Sequence, residues 1–257
     1  MSSDGGAAWT EILRDLVPNG PVAILGSASG FIMTTQVGNS RLLLSEDGQH
    51  WDDLELQDVA AFRNVEVRGV LAHDETIVVF GAITAARSAA ELVKPLAWQI
   101  APDGQVSELE IERQSAMMFD GVGSPSGFAI DGVLLHDPQN FESGSATVWQ
   151  SRDGAQWNRM VLTESTGSPA RTAAMAPPGT IISGTSKGSG DVIWFVPNDS
   201  SDVQTYPVEW NGIAAIGTAD GFVIFGGCGQ GGRCNGPAIL ILRASNAPYQ
   251  PPASTAP

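Results

Sequence analysis

Cysteine is nearly absent from this 257-residue chain, and so are tyrosine, histidine and positive charge. There are two Cys, two Tyr, three His and 13 Lys+Arg against 28 Asp+Glu, a formal net charge of −15. That surplus of negative charge repels phosphate backbones and anionic lipid, so neither nucleic acid nor a membrane surface is an expected partner. No apolar run approaches the roughly 20 residues of a membrane helix. The opening Met1-Ser2-Ser3-Asp4 lacks the basic end and apolar stretch of a signal peptide. Cys228 and Cys234 stand alone, with no second pair and no nearby His, so a zinc site lacks ligands. Their Cys-Gly-Gln-Gly-Gly-Arg-Cys spacing lets the two Cβ atoms meet across a loop, which favours a disulfide over free thiols. A disulfide implies an oxidising setting: secreted, cell-surface or virion-surface.

What is present is turn and strand. Apolar residues make up 42% of the chain and charged residues 16%, with 30 Gly and 16 Pro. That composition suits a large all-β unit of many short strands. Ser45-Glu46-Asp47-Gly48-Gln49-His50-Trp51 recurs as Ser151-Arg152-Asp153-Gly154-Ala155-Gln156-Trp157. Each copy follows strand formers, and Asp-Gly between strands signals a hairpin, the Trp folding back onto the core. A second marker is a glycine-led strand, at Gly30-Phe31, Gly127-Phe128 and Gly221-Phe222, with looser copies at Thr76-Ile77 and Gly179-Thr180. The five starts lie roughly 41 to 53 residues apart, the period of four-stranded propeller blades. The fifth unit stops at Ser245, one strand short. Trp9 to Leu13 has outer-strand character and follows Ser2, Asp4 and Gly6, a third copy of the box. The expected fold is a five-bladed β-propeller over residues 1–245, closed by the N-terminal strand completing the last blade. Residues 246–257 read as a flexible Pro-rich tail.

The boxes resemble the Asp-box (bacterial neuraminidase) repeat of sialidase-like β-propellers. Ser2-Ser3-Asp4-Gly5-Gly6-Ala7-Ala8-Trp9 keeps the family spacing with Ala8 where Thr is usual, and the two internal copies are one residue shorter. The resemblance implies a propeller whose boxes are structural staples: Ser2, Asp4, Gly6, Trp9, Ser45, Asp47, Gly48, Trp51, Ser151, Asp153, Gly154 and Trp157. It does not supply the sialidase site of three arginines, a Tyr–Glu pair and an acid Asp. Tyr249 falls in the tail, and Tyr206, with Glu209 three residues on, falls on an outermost strand rather than facing the channel.

A glycosidase of another type needs carboxylates converging at the channel. The inner-strand and channel-edge acids are Glu66, Asp74, Glu75, Asp120 and Asp131, each simply read as a turn cap or solvated strand end. His50, His73 and His136 lie on separate elements without ligand spacing, and no metal or cofactor is expected. Trp51, Trp98, Trp149, Trp157 and Trp194 read as core between blades. The glycine-rich 226–232 stretch lacks the Lys-Ser/Thr and helix start of a phosphate loop. Ala85 to Lys94 reads as a short helix stopped by Pro95.

Long, dissimilar loops gather on one face: 83–94, 134–144 and 227–236, with 57–66 and 163–171 beside them. Their ligand-face residues are Arg87, His136, Asp137, Phe141, Arg171 and Arg233. The expected function is that of a non-catalytic extracellular binding or structural module whose loop face meets a glycan or a protein. The alternative is a glycoside hydrolase.

Overall fold

The computed structural model describes residues 21–27, 30–35, 41–54, 65–83, 94–101, 105–140, 143–163, 166–186, 190–198, 202–208, 211–227 and 238–243. They form five antiparallel sheets, each a meander in sequence order. Sheet one runs β1 (Pro21–Ser27), β2 (Gly30–Thr35), β3 (Arg41–Ser45) and β4 (Asp52–Leu54). Sheet two comprises β5 (Val65–His73), β6 (Thr76–Ile83), β7 (Leu96–Ile100) and β8 (Val106–Leu109). Sheet three comprises β9 (Ala116–Ser124), β10 (Gly127–Leu135), β11 (Gly144–Ser151) and β12 (Asn158–Thr163). Sheet four comprises β13 (Thr166–Ala176), β14 (Gly179–Ser186), β15 (Gly190–Pro197) and β16 (Gln204–Pro207). Sheet five has three strands among the described residues: β17 (Asn211–Thr218), β18 (Gly221–Gly227) and β19 (Ala238–Arg243). No helix among the described residues is long and apolar enough to cross a membrane.

The glycine that leads each second strand has a steric reason. Gly127 sits at φ +118°, and a Cβ there would strike the Ser151 carbonyl of the next strand. Sheet two has Thr76 instead and moves the left-handed turn to Asp74, at φ 50°. Each first strand also carries a register shift against its partner, skipping Val22, Arg68 and Phe119 in the first three sheets.

The middle strands are apolar in near-continuous runs, β10 being buried along its whole length, so sheets two to four bury both faces and the core forms between sheets. Ile32 and Leu42 of sheet one pack on Val79 and Trp98 of sheet two. Phe80 of sheet two meets Phe128, Ile130 and Trp149 of sheet three. Ala129 and Val148 meet Ile182 and Trp194 of sheet four, and Ile181 meets Phe222 and Ile224 of sheet five. The first strands approach most closely: at Gly123 of β9 a Cβ would collide with the Ala72 carbonyl of β5, and at Gly217 of β17 with the Met175 carbonyl of β13.

Two details differ from the sequence reading. The Asp-Gly boxes are six-residue hairpin turns, Glu46 to Trp51 and Arg152 to Trp157, so the fourth strand begins after the Trp rather than near His50 and Gln156. Only residues 164–165 separate β12 from β13, because β13 keeps an irregular pairing with β14 out to Thr166↔Ser186. Arg171 therefore belongs to a strand and not to a loop. Cys228, Cys234, the 85–93 stretch, the N-terminal box and strand, and the 246–257 tail lie outside the described residues.

Candidate functional site

The two internal boxes are built alike, bond for bond. Ser45 Oγ accepts the Gly48 N–H (2.7 Å), and Asp47 Oδ1 accepts the N–H groups of Gln49 and His50 (2.7 and 2.8 Å). Ser151 Oγ accepts the Gly154 N–H (2.9 Å), and Asp153 Oδ1 those of Ala155 and Gln156 (both 2.9 Å). Gly48 and Gly154 hold φ of +73° and +75°, and the indole N–H of Trp51 and of Trp157 donates to the carbonyl of that glycine (3.2 and 2.9 Å). Backbone donors hold both Asp carboxyls below their ordinary range, and Asp47 in return raises the pKa of His50, 2.7 Å away. Trp51 rests on Met33 and Leu43, and Trp157 on the sheet two–three core. The bonds that the Ser, Asp and Trp side chains of these turns make stay within the turn itself.

Of the five acids expected at the channel, two come together. Asp120 in β9 pairs directly with Asp131 in β10, beside the bulge that skips Phe119. Directly paired residues share a face. Asp131 alternates with Ala129, so that face looks toward Met175 and Ile182 of sheet four. Asp120 is exposed, and its Oδ1 accepts the Gly121 N–H (2.8 Å). Asp131 is 0% exposed, and neither carboxyl oxygen has a hydrogen-bond partner. Burial, then the charge of Asp120, push its pKa up to about 8; the Asp120 amide approaches and offsets part of this without reaching hydrogen-bond geometry. Partial desolvation raises Asp120 as well. On the opposite side of β9, Arg68 reaches over from β5 to donate to the Met118 carbonyl (3.4 Å).

The other acids separate. Asp74 and Glu75 form the β5–β6 turn at the tight-turn end, where Asp74 sits 3.3 Å from His73; the Glu66 side chain lies outside the described residues. Tyr206 lies on the outer strand β16, its hydroxyl donating to Gln204 (2.5 Å). Among the described residues no three His, Cys, Asp or Glu side chains gather into a metal cluster. On the loop face, residues 136–140 and Ser143 fold back on one another. The His136 N–H donates to the Ser143 carbonyl, Asp137 Oδ1 caps the Gln139 N–H, and His136 Nε2 lies 3.0 Å from Ser145 Oγ. His136, Asp137, Gln139 and Asn140 are exposed there. Arg87, Phe141 and Arg233 lie outside the described residues, as does the Arg171 side chain.

A polar hub escaped the sequence reading. Glu112, between β8 and β9, accepts the indole N–H of Trp149 and Nη1 of Arg159, both at 3.1 Å. Its side chain is 8% exposed. Burial alone would raise its pKa, but the Gln114, Trp149 and Arg113 donors and the Arg159 charge outweigh it and leave the carboxyl below its ordinary value. The one hint was an acid directly after the last apolar residue before a strand.

No family model matches the chain, and no curated protein matches it by sequence. Its likeness is to solved structures. Virginiamycin B lyase from Staphylococcus aureus superposes with a TM-score of 0.53 at 11% identity, over 81% of this chain and 62% of that one. A streptogramin B lyase gives 0.55 at 11% identity over the same shares, 81% and 62%. An oligogalacturonate lyase in complex with manganese gives 0.55 at 11% identity, over 82% and 59%. This chain spans about three-fifths of the length of each. Identities this low speak for architecture alone, and the neighbours are β-propeller enzymes rather than evidence for a sialidase-like relative. The chain has the β-propeller fold.

Proposed function

We propose that this propeller is a non-catalytic binding module working outside the cytoplasm, its ligand a glycan or a protein held on the face of the long loops. The observation that carries this reading is the state of the Asp120–Asp131 pair, the one acid pair on the inner strands among the described residues. Asp131 is wholly enclosed, so a sugar cannot reach it, and a glycosidase needs both carboxyls at the scissile bond. The two faces also differ: the first-to-second-strand turns are two residues each, at 74–75, 125–126, 177–178 and 219–220, whereas 136–140 presents exposed polar groups.

The scaffold in this reading is a ring of five blades, closed by Trp9 to Leu13 pairing beside β19. In support, Ile24 of β1, Ile216 of β17 and Phe225 of β18 are 55, 55 and 41% exposed. Their register equivalents in sheet two, Val70, Leu71 and Phe80, are buried. The exposed set lies on the two faces that ring closure brings together.

A glycan array and a panel of chromogenic glycosides, run on one sample, test the function. Binding without turnover, weakened at least tenfold in a His136→Ala/Asp137→Ala double variant, is the expected result. Turnover of any glycoside, or binding indifferent to these loop changes, overturns it.

A further inference from the structure

A buried polar group with no partner calls for an explanation. Asp131 is such a group: it lies mid-strand in a wholly buried β10, and neither carboxyl oxygen has a hydrogen-bond partner. An ionised carboxylate in that place needs a positive charge or several donors. Among the described residues neither reaches it. β9 offers Asp120, a second acid directly opposite on the same face. β11 and β12 present Val148 and Met160 there, while Arg159 of β12 pairs with Trp149 on the other face and bonds Glu112. Met175, Ile182, Val192 and Trp194 of sheet four close over the acids, and Asp191 alternates with Val192 and so faces away. Arg68 of β5 is committed to the Met118 carbonyl. Arg171 is the one ionisable residue of β13, and its side chain lies outside the described residues.

We propose that Asp120 and Asp131 share one proton, carried by Asp131 and donated to Asp120, and that this proton locks sheet three against sheet four. Directly opposed residues have Cβ atoms about 4.5–5.5 Å apart, within reach of a carboxyl-to-carboxylate hydrogen bond. The Gly121 N–H takes Oδ1 of Asp120, which leaves Oδ2 to accept. One proton spares the fold a buried charge and removes the repulsion between two like charges. The bulge at Phe119 sets the acids opposite each other with one enclosed and one exposed, so Asp120 is the route by which the proton enters and leaves. The device responds to alkali. The folded protein holds this proton where the unfolded chain has already released it. Stability is therefore full below the ordinary Asp value of 3.8, falls as pH rises, and levels off above about 8, where the folded state has released it too.

Thermal melts of the full chain across this range test the lock. Wild type is expected to lose roughly 5–10 °C between about pH 6 and about pH 8 and then to level off. Asp131→Asn keeps the shape and supplies a permanent N–H donor to Asp120. It should lose that fall and melt no lower than wild type in alkali. Every other titrating group is common to the two proteins, so the difference between their curves belongs to Asp131. Asp120→Asn, at an exposed position, should move the fall to lower pH, and Arg171→Gln should leave it in place. Infrared spectra of wild type at neutral pH should show the carbonyl stretch of a protonated carboxylic acid. A flat wild-type melt or the absence of that band overturns the proposal, and so does a fall that persists in folded Asp131→Asn or vanishes in Arg171→Gln.

Discussion

Single residues carry unequal shares of this fold. Trp149 fills the sheet three core at 0% exposure and donates its one N–H to Glu112. Trp149→Ala should cost about 3–5 kcal/mol in denaturant unfolding, whereas the half-buried Trp51 and Trp157 should cost about 2–3 each. Equal losses at all three would show that burial does not order them. Glu112→Ala should cost about 2–3 kcal/mol, since it strands a buried indole N–H as well as Arg159. The hub also has a pH signature. The folded pKa of Glu112 is depressed, so the folded state binds fewer protons than the unfolded one near the ordinary Glu value. The stabilisation is in place above that value, 4.5, and fades as pH falls through the lower folded pKa. Acid titration of wild type and Glu112→Gln, followed by circular dichroism, should show the steeper loss in the wild type. Parallel curves would remove Glu112 from the account.

At the scale of elements, the blades touch through their first strands, and glycine sets how closely. A methyl at Gly123 runs into the backbone of Ala72 on β5, with no flexible side chain to yield. A methyl at Gly26, the register equivalent in sheet one, meets nothing within 4 Å. Gly123→Ala should therefore destabilise by about 1–3 kcal/mol, as overpacking does. Gly26→Ala should be silent or slightly stabilising, since alanine lowers the entropy of the unfolded chain. A pair of thermal melts decides this, and equal effects at the two sites would mean that β1 has a neighbour packed as closely as β5 lies against β9.

For the whole molecule the question is how the ends of the array meet. If the ring closes, Ile216 faces sheet one, and Ile216→Asp should lower stability by about 2–4 kcal/mol through a buried unpaired charge. If that face stays open, the change should raise solubility and leave the melt untouched. Deleting residues 1–13 should expose the outer edge of sheet five and lead to aggregation or loss of cooperative unfolding. A monomeric 14–257 protein melting like the parent in size-exclusion and thermal assays would refute closure by the N-terminal strand.

The strands were legible in the sequence because their signals are local. Alternating apolar residues, the Gly that alone accepts the turn before the second strand, and the Ser-Asp-Gly-Trp box each act within a few neighbours. Among the described residues the strands accordingly fall within a few residues of where the pattern puts them, β13 excepted, which starts earlier at Thr166. The acid site was not legible, for a reason visible in one dipeptide. Asp47-Gly48 and Asp153-Gly154 are turns, while Asp120-Gly121 and Asp131-Gly132 lie inside strands. Nothing within the dipeptide distinguishes them; a Ser two residues upstream makes the first pair turns, and pairing with neighbouring strands makes the second pair sheet. Glu112 likewise meets Trp149 and Arg159 across 37 and 47 residues of sequence. Burial, and with it the charge state of Asp131, is a property of the sheet that packs over it. Local chemistry thus determined what the pieces of this protein are, and the packing of one sheet on the next decided which of its acids are alone.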